Sequence, residues 1–143
     1  YLILDDNLQT ALINAAKRGV DVRIITPGIP DKKIVFRVTR SYYQTLIKHG
    51  IRIYEYTPGF IHAKCFASDD KVATVGTINM DYRSLYLHFE NGVFMYKNDA
   101  VMQLKHDMEK TFEISQRITK EMCQGNLRKT LTQSVLRLLA PLL

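Results

Sequence analysis

The chain has no tryptophan, only two cysteines and four prolines in its 143 residues. Cys65 and Cys123 are too few and too far apart for a disulfide framework, and they do not form a CxxC pair. That usage suits a reducing compartment. No apolar run approaches the roughly 18 residues needed to span a bilayer. There is no initiating methionine and no basic-then-apolar leader before the opening Tyr1-Leu2-Ile3-Leu4. The chain starts as if inside a strand and reads as an excised piece of a longer protein. Internal repeats and low-complexity tracts are also missing, which excludes solenoids and disordered linkers.

What is present describes one ordinary domain over residues 1–143. Hydrophobic residues make up 46% and charged residues 24%, which are globular proportions. Twenty Lys and Arg against fourteen Asp and Glu give a formal net charge of +6. A basic balance favours anionic partners, either phospholipid head groups or nucleic acid, without choosing between them.

The first third alternates strand and helix signals. Tyr1–Leu4 reads as a strand. Asp5 or Asp6 can cap a helix through Leu8, Leu12, Ala15 and Ala16 that Gly19 ends. Val20, Val22, Ile24 and Ile25 form a buried strand closed by Pro27-Gly28. Val35, Val38, Tyr42 and Leu46 recur at helical spacing, so a helix is expected over Lys32–Lys48, followed by a strand from Ile51. This order argues for an α/β layer with parallel pairing. Three strand-like runs follow, Ile61–Ala67, Val72–Gly76 and Leu85–Tyr96, the first two joined by the turn composition of Ser68-Asp69-Asp70-Lys71. Helices are expected over Asp99–Ile118 and along the stripe Leu127, Leu131, Val135 and Leu138.

One stretch carries chemistry. On a strand, His62 and Lys64 share a face, as do Thr77 and Asn79 on the next segment. A hairpin between them gathers an imidazole, an ammonium, a hydroxyl and an amide. Imidazole titrates near neutrality, so it can attack phosphorus or protonate a leaving oxygen. Lys64 and Asn79 can donate to non-bridging phosphate oxygens. The set suits a phosphodiester and demands no metal and no cofactor. A lone strand histidine is more often structural than catalytic, so the weight rests on the full spacing.

That spacing, His62-x-Lys64-x4-Asp69-x6-Gly76-Thr77-x-Asn79, resembles the HKD signature of the phospholipase D superfamily, with every position met. Asp81, Arg83, Ser84, Phe89 and Glu90 extend the likeness to the second HKD half of bacterial cardiolipin synthases. The upstream order of helix, Arg18-Gly19-Val20, strand and Pro27 agrees, as does the ending from Leu136 to Leu143.

The resemblance implies a phospholipase D-like α/β/α layered mixed sheet flanked by helices. It implies a phosphatidyltransferase that joins two phosphatidylglycerol molecules through a phosphohistidine and releases glycerol. In such enzymes two HKD histidines work across one site, one as nucleophile and one as general acid. The first-half histidine is usually the nucleophile, which gives His62 the acid role and then the base role. Lys64, Thr77 and Asn79 would bind phosphate, and Glu90 would orient the histidine. Asp69 belongs to the signature, although a turn aspartate serves more readily as a structural residue. The implied partners are phosphatidylglycerol, the N-terminal HKD half of the same parent and a membrane surface, with no nucleic acid. The parent would lie at the bacterial cytoplasmic membrane, while this piece is expected to be soluble and, alone, inactive. Another HKD phosphodiesterase, whether a phospholipase D or a nuclease, would carry the same motif. So would an inert binding module of the same fold, though such a module gives no reason to keep all six positions.

Weaker features have plainer readings. Lys33, Arg37 and Arg40 are expected on a solvated helix face rather than on anionic lipid. Tyr42, Tyr43, Tyr54 and Tyr56 read as packing residues before a lipid path, and Cys65 as a small buried apolar residue. The terminal leucine stripe is expected to pack on protein rather than on a membrane.

Overall fold

A computed structural model describes residues 1–124 and 135–137. Helix α1 (Asp6–Lys17) begins where Asp5, in extended conformation, accepts the Leu8 N–H at 2.8 Å. Strand β1 (Arg23–Pro27) leads to α2 (Lys33–Lys48) and β2 (Arg52–Tyr56). Both helices stop in the same way. Gly19 (φ +89) and Gly50 (φ +91) take the left-handed conformation just past the helix end. Their N–H groups reach Ala16 and Ile47, and the next residues, Val20 and Ile51, reach back to Ala15 and Leu46. These paired bonds satisfy carbonyls that the ends of the helices would otherwise leave open.

β1 and β2 pair in parallel, with Ile24 opposite Ile53. The expected strand from Val20 begins three residues later. Strands β3 (Lys64–Ser68), β4 (Val72–Gly76) and β5 (Gly92–Tyr96) form a separate antiparallel sheet. Helix α3 (Asp99–Glu113) opens on Asn98, whose side chain caps the Val101 N–H. It stops short of the expected Ile118, because Gln116–Arg117 becomes β6 and pairs antiparallel with β2. A short helix α4 (Lys120–Cys123) follows. The fold is the expected mixed α/β type, but among the described residues the strands divide into two three-stranded sheets, ordered β1-β2-β6 and β3-β4-β5.

Two other expectations are corrected. Tyr1–Leu4 makes a single parallel bridge, Leu2 to Met80, with Ile3 N–H donating to Met80 O at 2.8 Å. The run from Leu85 to Tyr96 is a strand only from Gly92, and its start is a π-helical turn over Arg83–Leu87. Asp81 explains the turn. Its buried carboxylate accepts the Ser84 N–H at 2.7 Å and its carbonyl accepts Leu85 N–H, which winds the chain before it can extend.

The core gathers Leu2, Ile3 and Leu4 with Val35, Val38, Tyr42, Tyr43, Leu46, Ile51, Ile53 and Ile118. The helical stripe read in α2 is therefore the face that packs. A buried polar cluster sits beside it. Thr26 and Tyr43 share a hydrogen bond of 2.6 Å, and the Tyr43 hydroxyl donates to Glu55 at 3.0 Å. Arg40 holds both oxygens of Glu55, at 2.8 and 2.9 Å. Arg40, itself exposed, is thus committed to an ion pair; Lys33 and Arg37 lie exposed on the same helix. Tyr54 packs its ring edge against Phe112, with centroids 4.8 Å apart.

The expected helix along Leu127, Leu131, Val135 and Leu138 lies mostly outside the described residues. Within the helical residues 135–137, Arg137 donates to Ser41 and lies 4.5 Å over the Tyr42 ring, which places this segment against α2. Among the described residues, no helix is long and apolar enough to cross a membrane.

Candidate functional site

The site grows from the β3–β4 hairpin. Its turn puts Asp69 (φ 52) and Asp70 (φ 58) in the left-handed region, and the Lys71 N–H closes on Ser68 O at 3.1 Å. Two successive positive φ values define the turn whose twist matches paired strands, and aspartate tolerates them. Asp69 accepts from the Ser68 hydroxyl at 3.2 Å. It stands at the end of the hairpin remote from Lys64, since Ser68 pairs with Val72 while Lys64 pairs with Gly76. Asp69 shapes the hairpin and does not line the cavity described next.

At the other end, His62, Lys64, Gly76, Thr77 and Asn79 line one open cavity of about 280 Å³. The strand begins at Lys64, so His62 precedes it. The exposed imidazole stacks on Phe60, with centroids 5.8 Å apart and planes 19° from parallel. The Lys64 ammonium donates to the His62 backbone carbonyl at 2.8 Å, which restrains the cation. Desolvation lowers the Lys64 pKa, against the opposing pull of Asp31, Glu90 and Asp81. Asn79 Oδ1 accepts from the Tyr1 nitrogen at 3.1 Å, so its amide NH2 is the group free to meet an anion.

Gly76 is required by close approach. A Cβ there would collide with the Asn91 carbonyl and come within 2.6 Å of Gly92 Cα. The opposing residue is itself Gly92. This contact carries the pairing one residue past β4, where the Thr77 N–H donates to Asn91 O at 2.9 Å and the Asn91 N–H returns to Thr77 Oγ1 at 3.0 Å.

Glu90 enters the site through Thr77, whose hydroxyl donates to its carboxylate. The Thr77 bond, and after it one from Ser84, holds the Glu90 pKa below the ordinary carboxylate range. Its other oxygen lies 3.7 Å from His88 Nδ1. The partners of Glu90 among the described residues are therefore Thr77, Ser84 and His88 rather than His62.

A second cavity of about 290 Å³ adjoins the first and shares Asn79 with it. Tyr1, Lys32, Asp81, Arg83, Ser84 and His88 are among its lining residues. His88 was not singled out from the sequence. The available signal was spacing: His88 stands two residues before Glu90 in extended backbone, where alternate residues share a side. Asp5 adds a tether, since its second oxygen accepts from the Tyr86 hydroxyl and ties the π-helical turn to the start of α1. Among the described residues, no group of three or more His, Cys, Asp or Glu is arranged to hold a metal ion.

Taken together, the arrangement offers a phosphate an imidazole, a fixed ammonium and an amide donor, while the Thr77 hydroxyl is committed to Glu90. Residues 1–113 match the family model described as cardiolipin synthase, PLD-like domain. Over its full length the chain is 51% identical to an uncharacterized protein of Streptococcus mutans, of which it covers 31%. It is 43% identical to the cardiolipin synthase of Geobacillus kaustophilus, covering 29% of that protein, and 41% identical to cardiolipin synthase 2 of Bacillus anthracis, covering 28%. The chain thus spans less than a third of the length of these relatives. In fold it resembles the crystal structure of a phospholipase D family member, Nuc from Salmonella typhimurium. The TM-score is 0.69 at 18% identity, with 82% of this chain and 77% of that one covered. The family model spans most of the chain, and five of the six signature residues line one cavity; the chain belongs to the cardiolipin synthase PLD-like domain family.

Proposed function

We propose that this chain is the second-motif part of an enzyme that makes cardiolipin from two phosphatidylglycerol molecules and releases glycerol. The observation that carries the reading is the shared cavity of His62, Lys64, Gly76, Thr77 and Asn79. Its groups match what phosphoryl transfer needs: a nitrogen base or nucleophile, and donors for the non-bridging oxygens.

In this reading the parent's other HKD half supplies a second histidine, which attacks the first phosphatidylglycerol. The nitrogen–phosphorus bond forms as the phosphorus–oxygen bond to glycerol breaks, and His62 gives the departing oxygen its proton. His62 then takes the proton of the second molecule's hydroxyl as that oxygen displaces the histidine. Lys64 and the Asn79 amide hold the phosphoryl oxygens in both steps. The His62 carbonyl restrains Lys64, so the ammonium is in place beforehand. Thr77 and Glu90 act together through their hydrogen bond, which sets a negative charge beside the phosphate donors.

The test uses the full-length parent in detergent with phosphatidylglycerol carrying a radiolabelled head group. Formation of cardiolipin with one glycerol released per product supports the reading. Release of glycerol with phosphatidic acid as the sole lipid product would make the enzyme a hydrolase instead.

A further inference from the structure

The second cavity shares Asn79 with the first and presents Lys32, Arg83 and His88 beside it. Its one lining carboxylate, Asp81, is buried and engaged by the Ser84 N–H at 2.7 Å. His88 turns Nδ1 toward Glu90, at 3.7 Å, which leaves Nε2 as the ring nitrogen for a ligand. Lys32 is exposed, lies 5.8 Å over the Tyr1 ring, and makes no side-chain capping bond to α2. The cavity thus offers the Lys32 ammonium and the His88 ring, with Asp31 beside Tyr1 and Lys32 and Glu90 beside His88; it is comparable in volume to the first and shares Asn79 with it.

The reaction proposed above, on which this inference rests, needs such a neighbour. The acceptor lipid brings a hydroxyl to phosphorus while carrying a phosphodiester of its own, one glycerol away. Two anions held that close repel unless each has counter-charge. We propose that this cavity, through Lys32 and His88, binds the phosphate of the acceptor phosphatidylglycerol and so selects it over water. The chemical step is common to both acceptors. The oxygen–phosphorus bond forms, the nitrogen–phosphorus bond breaks, and the acceptor's proton passes to His62. A lipid phosphate seated in the second cavity gives cardiolipin, and water gives phosphatidic acid.

The experiment compares products rather than rates, so loss of folded enzyme does not imitate the effect. Full-length parent, Lys32→Gln and His88→Gln are each incubated with phosphatidylglycerol in detergent micelles, with and without ethanol as a neutral acceptor. Each variant is expected to lower the ratio of cardiolipin to phosphatidic acid by roughly tenfold, the loss of one contact to a charged group. The ratio of phosphatidylethanol to phosphatidic acid should stay within about twofold, because ethanol carries no phosphate. Two results overturn the inference: a cardiolipin ratio within twofold of the parent's in both variants, or both ratios falling together. A parent that releases no glycerol from phosphatidylglycerol overturns the transfer reading itself, and this inference with it.

Discussion

Thr77 and Glu90, thirteen residues apart in sequence, are joined side chain to side chain, and the backbone of Asn91 closes on the same threonine. This contact welds the GTxN segment to the stretch after the π-helical turn. A single hydroxyl therefore holds both the alignment of Asn79's segment and the orientation of a carboxylate. Thr77→Val should lower turnover about tenfold and leave the Asn91 N–H without its side-chain acceptor, at a cost of about 1 kcal/mol. Thr77→Ser should keep both bonds and most of the activity. Equal activity of the valine and serine variants would show that the hydroxyl contributes nothing.

Glu90→Gln is expected to reduce turnover well beyond any change in the KM for phosphatidylglycerol, because glutamine keeps shape but loses charge. The pH dependence has a definite sign. The folded pKa of Glu90 lies below its ordinary value of 4.5, chiefly through Thr77. Its contribution to stability is present above the unfolded value and fades as pH falls through the depressed one. Urea midpoints of parent and variant should differ at neutral pH and converge as pH falls through the depressed Glu90 pKa. A gap that widens on acidification would contradict the assignment.

Gly76→Ala should destabilise the fold by about 1–3 kcal/mol and loosen the Thr77–Asn91 pairing, since the new methyl meets strand backbone rather than a mobile side chain. Thermal melting of the purified variant checks this. An unchanged midpoint with full activity would mean that β4 and β5 separate easily, and with them the site.

Chelation should leave catalysis in place. The cavity wall of His62, Lys64, Gly76, Thr77 and Asn79 holds cationic and neutral donors for phosphate and no carboxylate for a divalent ion. Cardiolipin formation should persist in EDTA at constant ionic strength. Abolition by EDTA with recovery on adding one divalent metal would overturn this.

The helical periods were legible because capping and glycine signals sit beside them: Asp5, Gly19 and Gly50 mark helix ends in sequence as they do in space. The motif residues were legible through strand alternation and spacing. What stayed hidden is tertiary. Nothing local in Gln116-Arg117 announces a strand, because its pairing with Tyr54 and Glu55 comes from distant chain. Leu85–Tyr96 looked extended throughout because apolar residues dominate it. The buried Asp81 carboxylate winds its first part into a turn, and that turn places Ser84 and His88 around Glu90. Asp69, conspicuous in the signature, serves the hairpin, whereas the less conspicuous His88 borders the site.

His62 is the group on which the proposed transfer depends most. The most direct measurement is cardiolipin formation from phosphatidylglycerol by the full-length parent carrying His62→Ala, with melting temperature measured on the same preparation. Activity is expected to fall by at least about a hundredfold, the contribution of one positioned acid–base group, at an unchanged melting temperature. Its exposed ring, stacked on Phe60 at the edge of the hairpin, contributes little to the core. A folded variant that keeps activity within a few-fold of the parent would contradict the account.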